Sequence, residues 1–475
     1  MIFNSVSFGI FFPIAVIIYF LIPAGLKRGR IIWLLLTSLC FYLCQGAPYV
    51  FLLLLSIGIT YTGALFLKGR KWVFVTVLVL NLLILFFFKY FGFFTGIFGI
   101  KTGFNLLLPV GISFYIFKSS AYLIDVYRGD IPAERDILRY SLFVSFFPEI
   151  LSGPISRAPS ILPQFDEPHD FDYERIRAGL LRMLWGYFIK LAIASRLSIA
   201  VDLIYNNAYS ASGVELLFGS LLYSAQVYCD FMGYSEIAIG AGQVLGITLS
   251  ENFNHPFLAS SLPDLWRRWH MSLMSWFKDY LYIPLGGNRK GTVRKYINIL
   301  IVFTLSGLWH GAAFHYVLWG FLSGLLQVIG SITSGIRKGL VDSFPVKNAF
   351  TDGIHAVYAR VAVFILFTFT VIFFRAPDVK TAFDIIGKIF TDCGLVSISA
   401  FNPFKLGLGT FSLFLTLFYL ACLLFAGLVQ EREGENITLV TKKNVILRWG
   451  VYFFLTCSII ASANIGAEKF IYFEF

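Results

Sequence analysis

Long apolar runs separated by short polar segments extend along the whole chain. The runs lie near residues 5–23, 31–45, 49–67, 72–88, 106–124, 139–152, 178–205, 214–230, 232–248, 297–311, 313–333, 358–375, 407–429 and 446–464. Several reach the roughly 20 residues with which an α-helix crosses a bilayer, and others are short enough to be tilted, re-entrant or buried. The pattern predicts an all-α, polytopic integral membrane bundle with re-entrant or interfacial helices.

Composition supports this prediction, and the placement of the charges argues against a nucleic-acid partner. The chain is 57% hydrophobic and only 14% charged, whereas soluble domains are about 25% charged. The net charge of +11 would indicate a nucleic-acid partner in a soluble protein. Here the basic residues lie in short loops between apolar runs, so membrane topology explains them and no nucleic-acid partner is expected.

The early loops predict an orientation. Basic residues follow the first, third and fifth runs, at Lys27, Arg28 and Arg30, at Lys68, Arg70 and Lys71, and at Arg128, Arg135 and Arg139. Loops after odd-numbered runs share one side, and the positive-inside rule makes that side cytoplasmic. The first run lacks a basic segment before it and a cleavage site after it, which favours a retained helix over a signal peptide. We therefore expect a multi-pass protein of the bacterial cytoplasmic membrane with its N-terminus outside.

Three segments depart from the pattern of apolar runs. Residues 251–296 interleave cations with Trp and Tyr, which is typical of amphipathic or re-entrant helices at the cytoplasmic interface, where aromatic rings prefer the headgroup level. Residues 336–357 and 430–445 are polar enough to be loops.

The glycines of 240–246 favour close helix packing.

His310 is the first candidate for chemistry. It follows Tyr296 by 14 residues inside an apolar stretch, which corresponds to about 20 Å of helix rise. An ionisable group at that depth is costly unless it is paired or faces water, so it indicates function by default. Gly307 and Gly311 flank it and permit a helix break or a close backbone approach. The alternative is a histidine that packs helices together through a neighbour's carbonyl.

His270 is the second candidate. It follows Arg267 and Arg268, whose guanidinium groups match the geometry of phosphate oxygens and therefore suit a phosphate-bearing acyl donor. An interfacial histidine beside two arginines is also ordinary, so both interpretations stay open.

Asp230 and Glu236 lie where two apolar runs meet. Acidic groups at such a break serve as pore, proton-path or substrate contacts, or simply pair with an arginine. The sequence carries no nucleophile elbow, zinc-binding motif or phosphate-binding loop, and no metal site is predicted.

Four blocks of sequence resemble the membrane-bound O-acyltransferase (MBOAT) family, and within it the alginate O-acetyltransferase branch. They comprise residues 147–157; residues 230–240 running on to 251–256; residues 266–273 continuing to 279–289; and residues 307–312 with the Gly-Leu-Trp-His-Gly-Ala motif. The opening Met-Ile-Phe-Asn-Ser and the ending at 470–475 are also similar to that branch. Met232 and Glu474 are minor departures from its pattern.

The resemblance implies a single MBOAT-type membrane domain over 1–475, with N-terminal helices in 1–130, a catalytic core in 140–335 and C-terminal helices in 336–475. His310 matches the family's essential intramembrane histidine, and His270 the second histidine of the motif, expected to orient the donor or stabilise oxyanion charge. Trp309 joins Arg267, Arg268, Asp230 and Glu236 as candidate substrate or donor contacts.

The resemblance further implies a membrane O-acyltransferase, most simply an O-acetyltransferase. The acyl donor would be acetyl-CoA or a phosphopantetheine-linked carrier reaching the bundle from the cytoplasm, with no bound cofactor. The acceptor would be an exported polysaccharide or an extracytoplasmic polysaccharide O-acetyltransferase-like partner protein. Alternatives are D-alanyl or other acyl transfer to cell-wall polymers, transport of acyl groups without transfer chemistry, and a structural scaffold.

Overall fold

The computed structural model describes residues 1–100, 108–342, 349–405, 407–433 and 444–462. Within these ranges every regular element is helical, which confirms the predicted all-α class. The ending at 470–475 lies outside the described residues. Two compact units are present, and the predicted subdivision at 1–130, 140–335 and 336–475 stays a prediction beside them. The first unit holds Met1–Phe188, Gly233–Glu251 and Ile437–Glu474, and the second holds Ile189–Met232 and Asn252–Asn436.

The α-helices follow one another with short connections. They are α1 (Val6–Leu21), α2 (Lys27–Leu43), α3 (Ala47–Phe66), α4 (Lys71–Leu85), α5 (Phe91–Ile97), α6 (Ile112–Arg128), α7 (Ile137–Ser145), α8 (Ala158–Ile161), α9 (Tyr173–Tyr187), α10 (Ser195–Asn206), α11 (Gly213–Leu245), α12 (Leu262–Arg268), α13 (Met271–Phe277), α14 (Thr292–His310), α15 (Phe314–Ile332), α16 (Ser334–Asp342), α17 (Ala349–Arg375), α18 (Val379–Thr391), α19 (Leu395–Ala400), α20 (Thr410–Glu433) and α21 (Val445–Ser462). π-helical turns continue three of these helices, at Phe86–Tyr90, Phe188–Ala194 and Lys278–Tyr282.

Six helical segments of the described chain are long and apolar enough to cross a membrane. They are Ala47–Phe66, Lys71–Ile97, Phe314–Ile332, Gly353–Arg375, Thr410–Arg432 and Val445–Ser462. Large apolar side chains on their outer faces are exposed, for example Phe51, Phe411 and Phe453. Such surface is stable against lipid and unstable in water, which agrees with a multi-pass membrane protein.

Helices of the first unit come into close contact at glycines, which have no side chain to hold the backbones apart. A Cβ on Gly240 of α11 would lie 2.6 Å from the carbonyl oxygen of Gly179 in α9, and a Cβ on Gly186 would lie 2.7 Å from that of Gly233. Small residues let backbones approach in this way. The predicted packing role of the 240–246 glycines is thus confirmed for Gly240.

In the second unit α14 and α15 form the hairpin that carries His310. A Cβ on Gly307 would lie 2.2 Å from the carbonyl oxygen of Tyr316, and one on Gly320 equally close to that of Phe303. The two helices therefore touch backbone to backbone, as the flanking glycines predicted. Helix α14 ends at His310, because Gly311 adopts an extended conformation with φ −157° and ψ 146°.

The interfacial segment is built from short helices. Residues 251–296 contain α12, α13 and the π-turn before α14, and neither α12 nor α13 is long enough to span a bilayer. Trp266 and Trp269 are buried in protein, which differs from the predicted position at the headgroup level. The reason is packing against aromatic neighbours: Trp266 lies 5.2 Å from Phe303, and Trp269 lies 4.9 Å from Phe367, between ring centroids.

The loop predicted over 336–357 is wrong where the structure describes it. Helix α16 ends at Asp342, and α17 begins at Ala349, upstream of the apolar run that predicted it. Once a helix is nucleated, each added residue forms one more backbone hydrogen bond, so an apolar span extends into neighbouring polar sequence. For the second predicted loop, α20 reaches Glu433 and α21 starts at Val445, and residues 434–443 lie outside the described residues.

Candidate active site

His310 is buried among aromatic rings at the end of α14. Only 4% of its surface is exposed. The centroid of its ring lies 5.1 Å from that of Trp319 and 5.4 Å from that of Phe374, both in edge-on contacts. These rings come from α15 and α17, so three helices of the second unit fix the position of the imidazole.

Trp309 packs against both candidate histidines. Its ring centroid is 4.9 Å from that of His310 and 6.0 Å from that of His270, and the indole is itself buried. The structure thus brings the three motif residues, which come from two separate sequence blocks, into one aromatic cluster. The cluster lies entirely within the second unit.

His270 has a backbone conformation that is rare outside glycine. Its φ of 43° and ψ of 52° are left-handed, and it occupies the N-cap position of α13. Such a conformation costs about 1–3 kcal/mol and persists only where the surroundings enforce it. Here the backbone N–H of Met271 donates to the carbonyl of Asn252 at 2.9 Å, and the N–H of Asn254 donates to the carbonyl of Arg268 at 2.9 Å.

The His270 side chain is held as firmly as its backbone. The ring is 1% exposed, and Phe231 packs edge-on against it with centroids 4.6 Å apart. Its Nδ1 lies 3.0 Å from Oδ1 of Asn252. Burial lowers the pKa of His270 to about 3, because the charged imidazolium would lose its hydration. His270 is therefore neutral at physiological pH, and its ring is available for hydrogen bonds rather than for ion pairs.

The two arginines before His270 have different environments. Arg268 is bound by two carboxylates, with Nε 3.1 Å from Asp264 Oδ2 and Nη1 2.9 Å from Glu431 Oε1. Arg267 is exposed, and its Nε donates to the carbonyl of Pro263 at 3.2 Å. An incoming phosphate would compete with two acids for Arg268, whereas the Arg267 guanidinium faces outward. The phosphate-binding role stays a prediction, with Arg267 the more available of the pair.

Asp230 lies in a buried ion pair. Its Oδ1 contacts Nζ of Lys190, and the side chains are 3% and 2% exposed, respectively. The sequence left open whether this acid contacts substrate or pairs with an arginine, and its partner in the structure is a lysine. Asp230 is the sequence neighbour of Phe231, and the ring of Phe231 packs against that of His270.

Glu236 belongs to the first unit, unlike the histidine cluster. It receives two hydrogen bonds from Arg182, at 2.7 Å and 3.1 Å, and the same guanidinium donates to Glu251 at 2.9 Å. This arrangement matches the simpler alternative considered for Glu236, pairing with an arginine. Its role as a substrate contact stays a prediction.

Sequence reasoning missed the partners Asn252 and Lys190. Lys190 stands inside the apolar run 178–205, and an ionisable residue there signals that an opposite charge lies nearby. Asn252 carries no such signal, because a buried histidine requires a hydrogen-bond partner but does not identify it. Within the described ranges, no group of three or more His, Cys, Asp or Glu is arranged to hold a metal ion.

Comparison with known proteins agrees with the motifs. The family model described as MBOAT, membrane-bound O-acyltransferase family, matches residues 131–375, slightly more than half of the chain. The chain is 36% identical over 410 residues to the "Probable alginate O-acetylase AlgI" of Pseudomonas putida, a match covering 82% of this chain and 80% of that protein.

Two further relatives carry other acceptor names. The "Peptidoglycan O-acetyltransferase" of Helicobacter pylori is 34% identical over 417 residues, with 79% of this chain and 77% of that protein covered. The "Teichoic acid D-alanyltransferase" of Bacillus subtilis is 30% identical over 240 residues, with 47% and 59% covered. The family match contains both histidines of the cluster. The chain therefore belongs to the membrane-bound O-acyltransferase family, as its motifs predicted, and is a multi-pass membrane acyltransferase.

Proposed function

We propose that this protein moves an acetyl group from a cytoplasmic activated donor across the membrane to hydroxyls of an exported polysaccharide, or to an extracytoplasmic partner enzyme that acetylates it. The donor is acetyl-CoA or a phosphopantetheine-linked acyl carrier. The proposal includes the bacterial cytoplasmic membrane as location, with the N-terminus outside.

One observation carries the proposal: His310 and His270 flank the same buried indole within one compact unit. A buried imidazole fixed by rings from three helices has few orientations available to it. Positioning of this kind is what a general base needs, since proton transfer depends on hydrogen-bond geometry with the substrate. A histidine serving only to pack helices would not need a second motif histidine against the same ring.

In the proposed reaction, His310 is the general base. Its ring nitrogen accepts the proton of the acceptor hydroxyl as the oxygen attacks the acyl carbon of the thioester. A carbon–oxygen bond forms, the carbon–sulfur bond breaks, and the proton passes from His310 to the departing thiolate. A positioned base of this type contributes about 10²–10⁴-fold to the rate. The apolar surroundings limit hydrolysis of the donor by excluding water.

Relatives named for D-alanyl transfer support a second acyl group. Similarity to a protein named for teichoic acid D-alanyl transfer makes D-alanyl or another acyl group the alternative cargo. Acetyl is favoured because relatives named for O-acetylation match up to 82% of this chain, against 47% for those named for D-alanyl transfer.

The deciding experiment replaces His310 with Ala in cells that depend on this gene for polymer esterification. We expect ester content of the exported polymer to fall at least about 100-fold, the share that a positioned base supplies. The matched control is His315→Gln. His315 is also a buried histidine of the second unit, and its Nδ1 lies 2.9 Å from the carbonyl oxygen of Phe373.

The outcomes separate the alternatives. Acid released from the polymer by mild base is analysed by mass spectrometry, which distinguishes acetate from alanine. Normal ester content in His310→Ala at normal protein abundance would contradict acyl transfer through His310 and leave transport or a scaffold role. A loss shared equally by His315→Gln would show that the effect reflects folding.

A further inference from the structure

The hydrogen bonds around Asn252 determine which nitrogen of His270 carries the proton. Oδ1 of Asn252 lies 3.0 Å from Nδ1 of His270, 2.9 Å from the hydroxyl of Ser272 and 3.4 Å from the backbone nitrogen of Ser272. A backbone N–H can only donate, so the amide atom facing this group is the oxygen acceptor. The hydrogen on the neutral His270 ring therefore lies on Nδ1, where it donates to Asn252.

The other ring nitrogen is left as an acceptor. Nε2 of His270 is buried and has no hydrogen-bond partner among the described residues. In the Nδ1–H tautomer this atom holds a lone pair and no hydrogen. A buried polar atom without a partner is destabilising, so its persistence needs an explanation, and a bound ligand supplies one.

We propose that Asn252 is a positioning residue, which holds His270 as the Nδ1–H tautomer so that the bare Nε2 accepts a hydrogen bond from a hydroxyl of the acyl acceptor. This proposal rests on the proposed function. It changes the role expected for His270 from the sequence, because a neutral ring whose only N–H is engaged by Asn252 has none left to donate to an oxyanion. His270 then orients the acceptor, while His310 removes the proton.

Backbone geometry supports a positioning role. Asn252 holds this turn at two points, through its side chain to Nδ1 of His270 and through its carbonyl, which accepts from the N–H of Met271. That second bond helps hold His270 in its left-handed conformation. The left-handed backbone sets the direction in which the His270 side chain leaves the chain. Asn252 keeps the ring proton on Nδ1. Together the two features determine where the bare Nε2 points.

The test measures the tautomer of His270 directly. Protein labelled with ¹⁵N-histidine, in lipid bilayers, is examined by solid-state NMR, with the His270 signals identified by their absence in His270→Gln. We expect an unprotonated Nε2 and a protonated Nδ1 in the wild type. Asn252→Leu, which removes the acceptor oxygen, should permit the Nε2–H tautomer and lower polymer acetylation about 10–100-fold, as loss of a histidine's supporting partner commonly does.

Three variants act as controls. Asn252→Asp keeps an acceptor beside Nδ1 and should retain the Nδ1 proton. The added negative charge favours the imidazolium, so the pKa of His270 rises and its charged form should appear at higher pH than in the wild type. Ser272→Ala and Asn254→Leu change the same loop without removing the acceptor, and both should leave the tautomer unchanged.

The result that overturns the proposal is a protonated Nε2 in the wild type, or full acetylation by Asn252→Leu once its tautomer has inverted. Failure of the proposed function is recognised separately, because the tautomer is measured without substrate. If His310→Ala still acetylates polymer, the acyl-transfer mechanism fails, whatever the spectrum of His270 shows.

Discussion

Two lysines of this protein lie inside apolar runs, each against a carboxylate. Lys190 pairs with Asp230 in the second unit, and Lys118 pairs with Glu149 at 2.6 Å in the first. All four side chains are almost fully buried. An isolated charge in such surroundings is very costly, and a partner offsets the cost only with good geometry. Each pair therefore makes the stability of its unit depend on both partners being present.

The Lys190–Asp230 pair gives a prediction about stability. Lys190→Met should lower the free energy of unfolding by about 3–5 kcal/mol, because it removes the cation that pairs with a buried carboxylate. The double variant Lys190→Met with Asp230→Leu should recover most of this loss. The measurement is denaturant unfolding of the protein in detergent.

A more exposed pair of the same unit is the control. Arg375 and Asp202 lie 2.6 Å apart with side chains 27% and 53% exposed. Asp202→Asn should therefore change stability far less, since exposed pairs contribute about 0–1 kcal/mol. Equal losses in Lys190→Met and Asp202→Asn would show that burial does not determine the cost.

The hairpin of α14 and α15 determines where His310 lies. The helices touch through Gly307 and Gly320, and aromatic rings fill the space around the imidazole where α14 ends. Because protein interiors are closely packed, a small change in helix separation moves the residues at the end of the hairpin. The glycine contact is therefore part of the machinery that positions the candidate base.

Gly307→Ala tests this contact. The added Cβ would lie 2.2 Å from the carbonyl oxygen of Tyr316, which is backbone and cannot rotate away. We expect a lower melting temperature and a loss of polymer acetylation larger than the loss of protein. Thermal melts in detergent and ester assays in cells give the two quantities.

Gly387 provides a matched helical control. It lies in α18, and a Cβ added there would meet nothing within 4 Å. Gly387→Ala should be neutral or stabilise the protein by about 0.5–1 kcal/mol, since alanine is the better helix former. If Gly307→Ala behaved like Gly387→Ala, the close approach of the two helices would not be required for activity.

At the level of the whole molecule, the pattern of charge agrees with the observed helix ends. Basic residues cluster around the α1–α2 and α3–α4 junctions, with Lys27, Arg28 and Arg30 in the first turn of α2, Lys68 and Arg70 between α3 and α4, and Lys71 at the start of α4, while the connection after α2 carries no basic residue. Because α1 to α4 follow one another with short connections, successive connections are expected on alternate sides. The charge asymmetry behind the predicted orientation lies at these junctions, and the orientation itself stays a prediction.

Reporter fusions test the orientation. Alkaline phosphatase, active only outside the cytoplasm, should be active when fused after Gln45 and inactive after Arg70. Green fluorescent protein fused at the same two positions should show the opposite pattern, because it fluoresces only when it remains in the cytoplasm. Phosphatase activity after Arg70 with fluorescence after Gln45 would reverse the predicted topology and place the N-terminus inside.

Much of the fold was predictable because lipid constrains sequence strongly. A backbone in hydrocarbon must satisfy its own hydrogen bonds, so apolar runs of spanning length indicate helices without knowledge of their neighbours. The prediction was less successful where protein replaces lipid as the surroundings. Trp266 and Trp269 pack inside the second unit, and α16 and α17 occupy much of a predicted loop.

The candidate site likewise has features that the local sequence predicts and contacts that only the folded chain creates. The motif around His310 is a local pattern, and a buried histidine in an apolar stretch signals function by its cost alone. Its relation to His270 depends on the chain bringing α12, α13 and α14 together through Trp309. The sequence did not predict that Arg268 would be bound by Glu431, which is far away along the chain.

By itself, the sequence determined that this chain is a helical membrane acyltransferase and which histidines are candidates, because apolar run length, charge distribution and motif identity are properties of neighbouring residues. Only the tertiary structure decided the partners: Asn252 for His270, Lys190 for Asp230, and Gly320 for Gly307. These contacts join residues far apart in the chain, and their geometry arises from packing that no local pattern encodes.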